Sequence, residues 1–241
     1  MKRRDLILSL MVGGLLTAAC VQAQPRAEEV LRRSLAYHDP DGQWWTRTHR
    51  FTLRETRPGG SDRVTTFTIE PGGGFFYRSE RDGHVVEARW DGTTCSATFD
   101  GSAEIPENVR TRYRLTCDGI RWWQAYYGFM HSLPMNLTSP GTRLNPVAAD
   151  TTFLDRRVWA LRVTYDEPVG TDTWYVYVDP VTYALVGCRF YHDEAKNDGE
   201  YIVFEGEVAR AGFRIPETLR WYVNADGRFL GADKIVAYSV E

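Results

Sequence analysis

Seven Asp-Gly dipeptides punctuate the chain and separate short segments in which apolar and polar residues alternate. Three of them begin at nine-residue steps, at Asp82, Asp91 and Asp100. The others begin at Asp41, Asp118, Asp198 and Asp226. Aspartate and glycine both tolerate the positive φ angles of a tight hairpin turn, and alternation on either side indicates strands. The spacing therefore predicts a meander of sequential antiparallel strands, and the same pattern returns over residues 158–240.

Two segments follow a helical period instead. From Pro25 to Tyr37 apolar residues recur at helical spacing, which predicts an N-terminal helix. The run GIRWWQAYYGFMHSL, from Gly119 to Leu133, is apolar around most of its circumference, and Pro134 ends it. A helix of that composition is buried or covers an apolar surface. We therefore predict a mainly β protein of the α+β class with an N-terminal helix and a second, aromatic helix.

The first residues have the pattern of an export signal. Basic residues precede an apolar stretch, Leu6 to Leu16, that is too short to span a bilayer. Cleavage after Ala23 suits ordinary signal peptidase, whereas Thr-Ala-Ala before Cys20 has the form of a lipobox. We expect residues 1–23 to be a signal peptide, or a lipoprotein signal that ends before Cys20, and residues 24–241 to be a single domain. The expected location is periplasmic or secreted, with an outer-membrane lipid anchor where Cys20 is retained.

Three cysteines lie beyond this segment. Cys95 and Cys117 flank a polar stretch and sit in strand-like runs. In an oxidising compartment we expect these two to form a disulfide, and the alternative is a pair of buried free thiols. Cys188 lies in an apolar strand pattern, so we expect a small core residue there.

Several longer motifs carry a family resemblance. The segment TWYVYVDPVTYALVGCRFYH is a strand, an Asp-Pro turn and a return strand, and it resembles the hairpin of the LolA/LolB-like envelope proteins. A family of uncharacterised exported proteins grouped with that fold is similar in HDPDGQWW, LPMNL, SPGT, VTYDEPVGTDTWY, FYHDEAKNDGEYI and RIPETLRWYVNADGRFLGAD. The resemblance implies a curved antiparallel half-barrel whose hydrophobic concave side is covered by the helices. In the carriers of this fold that side holds acyl chains.

The many aromatic residues of the predicted helix and strands support two interpretations. In one, the aromatic helix and neighbouring strands line a cavity for an acyl chain, and each buried methylene contributes about 0.8 kcal/mol. In the other, the same residues fill an ordinary core. The candidate ligand contacts are Trp122, Trp123, Tyr126, Tyr127, Met130, Trp159, Trp174, Tyr175 and Tyr177.

Two polar clusters are candidates for metal binding or acid–base chemistry. They are His38 with Asp39 and His192 with Asp193. A site of that kind needs histidines and carboxylates that converge from separate loops. Turns require the same aspartates, and the spacing matches no local zinc motif. We therefore assign no catalytic residue, metal or cofactor.

These observations favour an exported protein that binds or carries a lipid or acyl chain at the cell envelope. One alternative is an exported enzyme that uses histidines and carboxylates, with or without a metal. Another is a protein-binding module without a small ligand, whose partners would be envelope proteins. Nucleic acid is excluded as a partner because the formal net charge is −3 and no basic surface is concentrated in the sequence.

Overall fold

The computed structural model describes residues 24–241, and thirteen strands in this range join one antiparallel sheet. The strands are β1 (His49–Thr56), β2 (Arg63–Ile69), β3 (Phe75–Arg81), β4 (His84–Trp90), β5 (Cys95–Phe99), β6 (Thr142–Leu144), β7 (Ala149–Phe153), β8 (Arg156–Tyr165), β9 (Thr173–Val178), β10 (Leu185–Tyr191), β11 (Glu200–Arg210), β12 (Phe213–Val223) and β13 (Phe229–Val240). Their order is β5-β4-β3-β2-β1-β13-β12-β11-β10-β9-β8-β6, and β7 also pairs with β8. The sheet curves without closing, so the predicted half-barrel is confirmed.

The sheet consists of two meanders joined at one seam. Strands β1 to β5 follow one another in sequence, as do β8 to β13. The seam is the antiparallel pair of β1 and β13, which runs from His49 opposite Val240 to Thr56 opposite Ala232. The last strand of the chain therefore binds the first, and both meanders become halves of one curved surface.

The Asp-Gly turns explain why the meander could be predicted from the sequence. Asp82 and Gly83 have φ angles of 56° and 78°, and they join β3 to β4 as the predicted hairpin turn. The hairpin turn predicted at Asp118 and Gly119 is wrong, because both residues lie in the first turn of a helix. A Cβ on Gly119 would stand 2.4 Å from the carbonyl oxygen of Arg114, so close backbone packing requires this glycine.

Three α-helices accompany the sheet in the described range: α1 (Ala27–His38), α2 (Glu107–Tyr113) and α3 (Cys117–His131). Helices α1 and α3 confirm the two predicted segments with ends shifted by up to two residues, and α2 was not predicted. The hydroxyl of Thr116 caps α3 by accepting a hydrogen bond from the N–H of Gly119 at 3.1 Å. Within residues 24–241 no helix has the length and hydrophobicity needed to cross a membrane.

The predicted disulfide between Cys95 and Cys117 is confirmed. It joins the first residue of β5 to the first residue of α3, so it ties the helix to the outermost strand of the first meander. The cross-link closes a loop across a sequence separation of 22 residues, which limits the freedom of the unfolded chain. Cys188 is buried in the core as a free thiol, as predicted.

Both α1 and α3 pack on the concave side of the sheet. Helix α1 contributes to a core with β8 to β12, and α3 contributes to a second core with β1 to β5. A smaller cluster lies on the outer face, where Phe153 stacks on Tyr177 with ring centroids 4.2 Å apart. The end of α3 reaches the first core through Met130, so the helix bridges the two halves.

Candidate ligand-binding groove

A groove of about 380 Å³ runs along one side of α3, and most of its lining is apolar. Its walls come from four parts of the chain that are far apart in sequence, together with Trp45. These parts are residues 68–75 from the end of β2 to the start of β3, residues 124–132 at the end of α3 and its C-cap, residues 136–142 after the helix, and Tyr165 at the end of β8 with Val169 beyond it. The volume lies within the range of roughly 300–1,000 Å³ that is typical of small-molecule sites.

Short side chains on α3 keep this groove open. Ala125 and Gly128 of α3 and Ser132, the C-cap residue that follows the helix, line it, and their spacing of three and four residues places them on one side. A Cβ added to Gly128 would meet no atom within 4 Å. Glycine costs about 1 kcal/mol relative to alanine in a helix interior, and neither packing nor a positive φ angle requires it here. The empty space therefore follows from the choice of small residues on this face.

The opposite face of α3 carries large residues that fill the core. Tyr127 is fully buried, and its ring stacks on those of Phe67 and Trp123 with centroids 4.6 and 5.7 Å away. Trp123 stacks in turn on Tyr77 at 5.3 Å. These stacked rings form a continuous aromatic layer between the helix and the sheet.

A buried charge network fastens the same face of α3 to the sheet. The carboxylate of Glu55, which is only 1% exposed, accepts hydrogen bonds from Arg63, Thr65 and the hydroxyl of Tyr127, the last at 3.1 Å. Burial alone would raise the pKa of Glu55, but the hydrogen bonds and charge of Arg63 outweigh it, so the pKa lies below its usual value. The ionised carboxylate therefore holds the helix at a fixed position.

The predicted ligand residues of α3 lie mainly in the core. Trp123, Tyr127 and Met130 pack against the sheet, and Tyr126 stacks on the ring of Trp221 at 5.9 Å. Trp122 is 43% exposed at the surface. The groove is lined instead by the other side of the helix, including Phe129.

The predicted ligand residues on the strands divide between the two faces of the sheet. Trp159 and Trp174 pack against the core under α1, and Phe129 links that core to the groove because its ring lies 4.5 Å from that of Trp174. Tyr175 and Tyr177 belong to the cluster on the outer face. The pleat of β9 separates them from Trp174, because successive side chains of a strand point to opposite faces. Among the described residues, none of the nine candidates lines the groove.

The first metal candidate, His38 with Asp39, has structural partners. One ring nitrogen of His38 bonds the carbonyl of Arg214, and the other accepts the N–H of Leu185 at 3.0 Å. Burial lowers the pKa of His38 to about 4, so this side chain is neutral at pH 7. Asp39 accepts the N–H groups of residues 43–44 and thereby shapes the turn after α1.

The second metal candidate, His192 with Asp193, also has hydrogen-bond and ion-pair partners within the protein. His192 bonds the carboxylate of Asp172 at 2.7 Å, and this bond raises the pKa of the imidazole. Asp193 accepts the N–H of Ala195 and pairs with Lys196 at 3.0 Å. Over residues 24–241, no group of three or more histidine, cysteine, aspartate or glutamate side chains is arranged to hold a metal ion.

The fold of the chain is similar to that of two solved LolA-type structures. An outer membrane lipoprotein-sorting protein domain from Vibrio parahaemolyticus has a similar fold, with a TM-score of 0.51 and 13% identity over 89% of this chain and 93% of that chain. A LolA superfamily protein from Nitrosomonas europaea gives a TM-score of 0.52 and 10% identity over the same shares. At such low identity these similarities show the fold alone.

The sequence itself is matched by the model of a family of unknown function, DUF6503, over residues 6–237. Because the match covers nearly the whole chain, this protein belongs to that family. None of the curated proteins matches the sequence. The predicted resemblance to an uncharacterised family with the LolA-like fold is thereby confirmed.

Proposed function

We propose that this protein is an exported binding or carrier protein of the cell envelope, and that the groove beside α3 holds an acyl chain or another apolar ligand. The observation that carries the proposal is the apolar groove of about 380 Å³ that small helix residues keep open. Burial of each methylene contributes about 0.8 kcal/mol, so a medium-length chain supplies useful affinity without any polar contact.

The cellular location is part of the same proposal. The predicted export signal in residues 1–23 lies outside the described residues, but the disulfide between Cys95 and Cys117 is typical of an oxidising compartment. A lipid on Cys20 would hold the groove at the outer membrane, whereas cleavage after Ala23 would release the protein into the periplasm. The mass of the N-terminal peptide of the mature protein distinguishes these two forms.

The direct test fills the groove from the helix side. The Gly128→Leu variant places a branched side chain where a Cβ meets open space, and we expect it to weaken the binding of Nile red, a neutral apolar fluorophore, by about tenfold or more. Both Gly128→Leu and the matched control Gly128→Ala gain helix propensity, so we expect both to fold, and denaturant unfolding of each variant checks this.

Fluorescence titration of the two purified variants and the wild type measures this effect. We expect Gly128→Ala to bind Nile red with an affinity close to that of the wild type, since one methyl group removes little volume. Equal binding by Gly128→Leu and Gly128→Ala, with both variants folded, would place any apolar site elsewhere and would contradict the proposal.

A further inference from the structure

A second cavity, of about 400 Å³, lies at the other end of the strands that border the groove. The groove contacts the end of β2 and the start of β3, whereas this cavity contacts the start of β2 and the end of β3. Strands of seven residues extend about 20 Å, so the two sites are separate. The charged residues that line the second cavity are Arg57, Arg63, Arg81, Arg112, Glu55 and Asp82.

The first pair of arginines, Arg57 and Arg63, is balanced by nearly buried carboxylates. Both guanidinium groups lie at the same oxygen of Glu55, to which Arg63 donates a hydrogen bond and from which Nη2 of Arg57 is 3.9 Å away. Arg57 also pairs at 2.8 Å with Asp233, which is buried and outside the lining. These two positive charges are therefore matched by two carboxylates.

The second pair, Arg81 and Arg112, shares a single carboxylate. Nε of Arg81 and Nη2 of Arg112 lie 3.4 and 3.5 Å from Oδ2 of Asp82. Among the described residues, neither arginine forms an ion pair with another carboxylate. Both distances exceed the roughly 2.7–2.9 Å that is typical of a charge-assisted hydrogen bond. One positive charge at the cavity is therefore unbalanced, and one carboxylate cannot use all the N–H donors of two guanidinium groups.

The ring of Tyr113 keeps the second pair together. The guanidinium carbons of Arg81 and Arg112 lie 5.0 and 5.6 Å from its centroid, within the range of a cation–π contact. Tyr113 is only 8% exposed and belongs to the core under α3. A buried aromatic ring thus supports two like charges side by side, where they would otherwise repel one another.

Several guanidinium groups at one cavity suit an anion with several acceptor oxygens. The guanidinium group is a planar fork of donors that matches phosphate and carboxylate geometry. A carboxylate has two oxygens, whereas a phosphate monoester has three acceptor oxygens on its phosphorus and a charge of about −1.5 to −2 at pH 7. The hydroxyl of Ser61, which also lines the cavity, donates to Asp82 at 2.6 Å and is a further polar group within the site.

We propose that this cavity binds a phosphate group, carried either by a soluble phosphate compound or by a lipid head group, and that Arg81 and Arg112 are its principal ligands. The site is separate from the groove beside α3, so it does not rest on the proposed function.

Inorganic phosphate and two variants of opposite effect test the site. Calorimetric titration of the mature protein at about pH 8 and low salt should show one phosphate per chain, bound more tightly than acetate. We expect Arg112→Gln to weaken phosphate binding by about tenfold. Asp82→Asn removes the competing charge and keeps the shape, and asparagine tolerates the φ angle of 56° at this position. We expect it to strengthen phosphate binding by about threefold or more.

The matched control is Arg156→Gln. Arg156 and Arg112 are 59% and 64% exposed, and each pairs with one carboxylate, but Arg156 lies outside the cavity. We expect the control to change phosphate binding by less than about twofold. Equal losses in Arg112→Gln and Arg156→Gln would overturn the proposal, as would tighter binding of acetate or unchanged binding in Asp82→Asn. A loss of folding cannot imitate the predicted gain in Asp82→Asn.

Vesicles identify the source of the phosphate group. The mature protein is sedimented with phosphatidylcholine vesicles that contain or lack phosphatidylglycerol. Binding that requires phosphatidylglycerol, falls in Arg112→Gln and is reduced by inorganic phosphate would support the site with a lipid head group as its ligand. Binding of inorganic phosphate without binding of vesicles would support it with a soluble phosphate compound. Absence of binding to both phosphate and vesicles would overturn the proposal.

Discussion

The two faces of α3 differ in the size of their side chains and in what they do. Towards the sheet the helix presents Trp123 and Tyr127, whose rings fill the space up to the strands. Towards the groove the helix presents Ala125 and Gly128, followed by its C-cap residue Ser132, and about 380 Å³ remains open beside them. One helix is thus both part of the core and a wall of the candidate site. The comparison shows that the aromatic residues fix the position of the helix, and that the small residues create the space.

The helix that forms one wall of the groove is held to the sheet by contacts on its other face. Glu55 connects Tyr127 of the helix to Arg63 of β2, and the disulfide connects the start of the helix to β5. A binding site supported by a rigid element requires less ordering when the ligand arrives, so more of the apolar contact contributes to affinity.

The largest expected effect is a loss of stability when the buried network between Glu55, Arg63 and Tyr127 is disrupted. The Glu55→Ala variant leaves Arg63, whose side chain is 15% exposed, without its carboxylate partner. Removal of one member of a buried ion pair costs about 3–5 kcal/mol, and we expect a loss of that size in the free energy of unfolding. Denaturant unfolding followed by tryptophan fluorescence measures it.

A surface pair provides the matched control. Arg220 and Glu205 are 40% and 51% exposed, so Glu205→Ala should cost less than about 1 kcal/mol. Similar losses for Glu55→Ala and Glu205→Ala would show that the buried network does not anchor the helix. If Glu55→Ala is too unstable to purify, Glu55→Gln tests the removal of the charge alone.

A smaller effect concerns pH and the same face of the helix. His131 follows Tyr127 by one turn, and burial lowers its pKa from 6.5 to about 4 in the folded protein. The unfolded chain binds a proton between these values and the folded chain does not, so stability is full above about pH 6.5 and falls towards pH 4. The slope from this group is about 1.4 kcal/mol per pH unit, and His38 adds a similar contribution because its pKa is lowered to about 4 as well.

The variant His131→Phe keeps a ring against Phe51 and Phe67 but cannot bind the proton. We therefore expect the dependence of the unfolding free energy on pH to decrease by about 1.4 kcal/mol per unit between pH 4 and 6.5. Denaturation curves at several pH values provide the slopes. An identical slope in the variant and the wild type would mean that His131 is protonated in the folded state and is not enclosed by the core.

The parts of the fold that depend on local sequence were predictable. The turn at Asp82 and Gly83, the strands on either side and both long helices each rest on residues that are neighbours in the chain. The disulfide was predictable from the two cysteines and the expected compartment. Helix α2 was missed because its sequence, ENVRTRY, is polar and short, and its apolar contribution to the core is concentrated in Tyr113.

The groove was not predictable in the same way. It forms where α3 meets residues 68–75 and 136–142, and no periodicity in the sequence shows that these segments come together. The concentration of aromatic residues pointed to the opposite face of the helix. One signal was present, namely the small residues Ala125 and Gly128 in the helix and Ser132 directly after it, at spacings of three and four. The strand pattern of β9 was a second signal. Because successive side chains of a strand point to opposite faces, Tyr175 and Trp174 could have been assigned to different faces of the sheet.

The central claim is that an apolar ligand lies in the groove beside α3, and photolabelling tests it most directly. Dodecanol carrying a diazirine at the end of its chain would be bound to the mature protein, irradiated and mapped by peptide mass spectrometry. The account predicts labels within residues 124–132 and 136–142, and excess dodecanol should suppress them. Labels on the outer face at Tyr175 or Tyr177, or labels that excess dodecanol does not reduce, would contradict it.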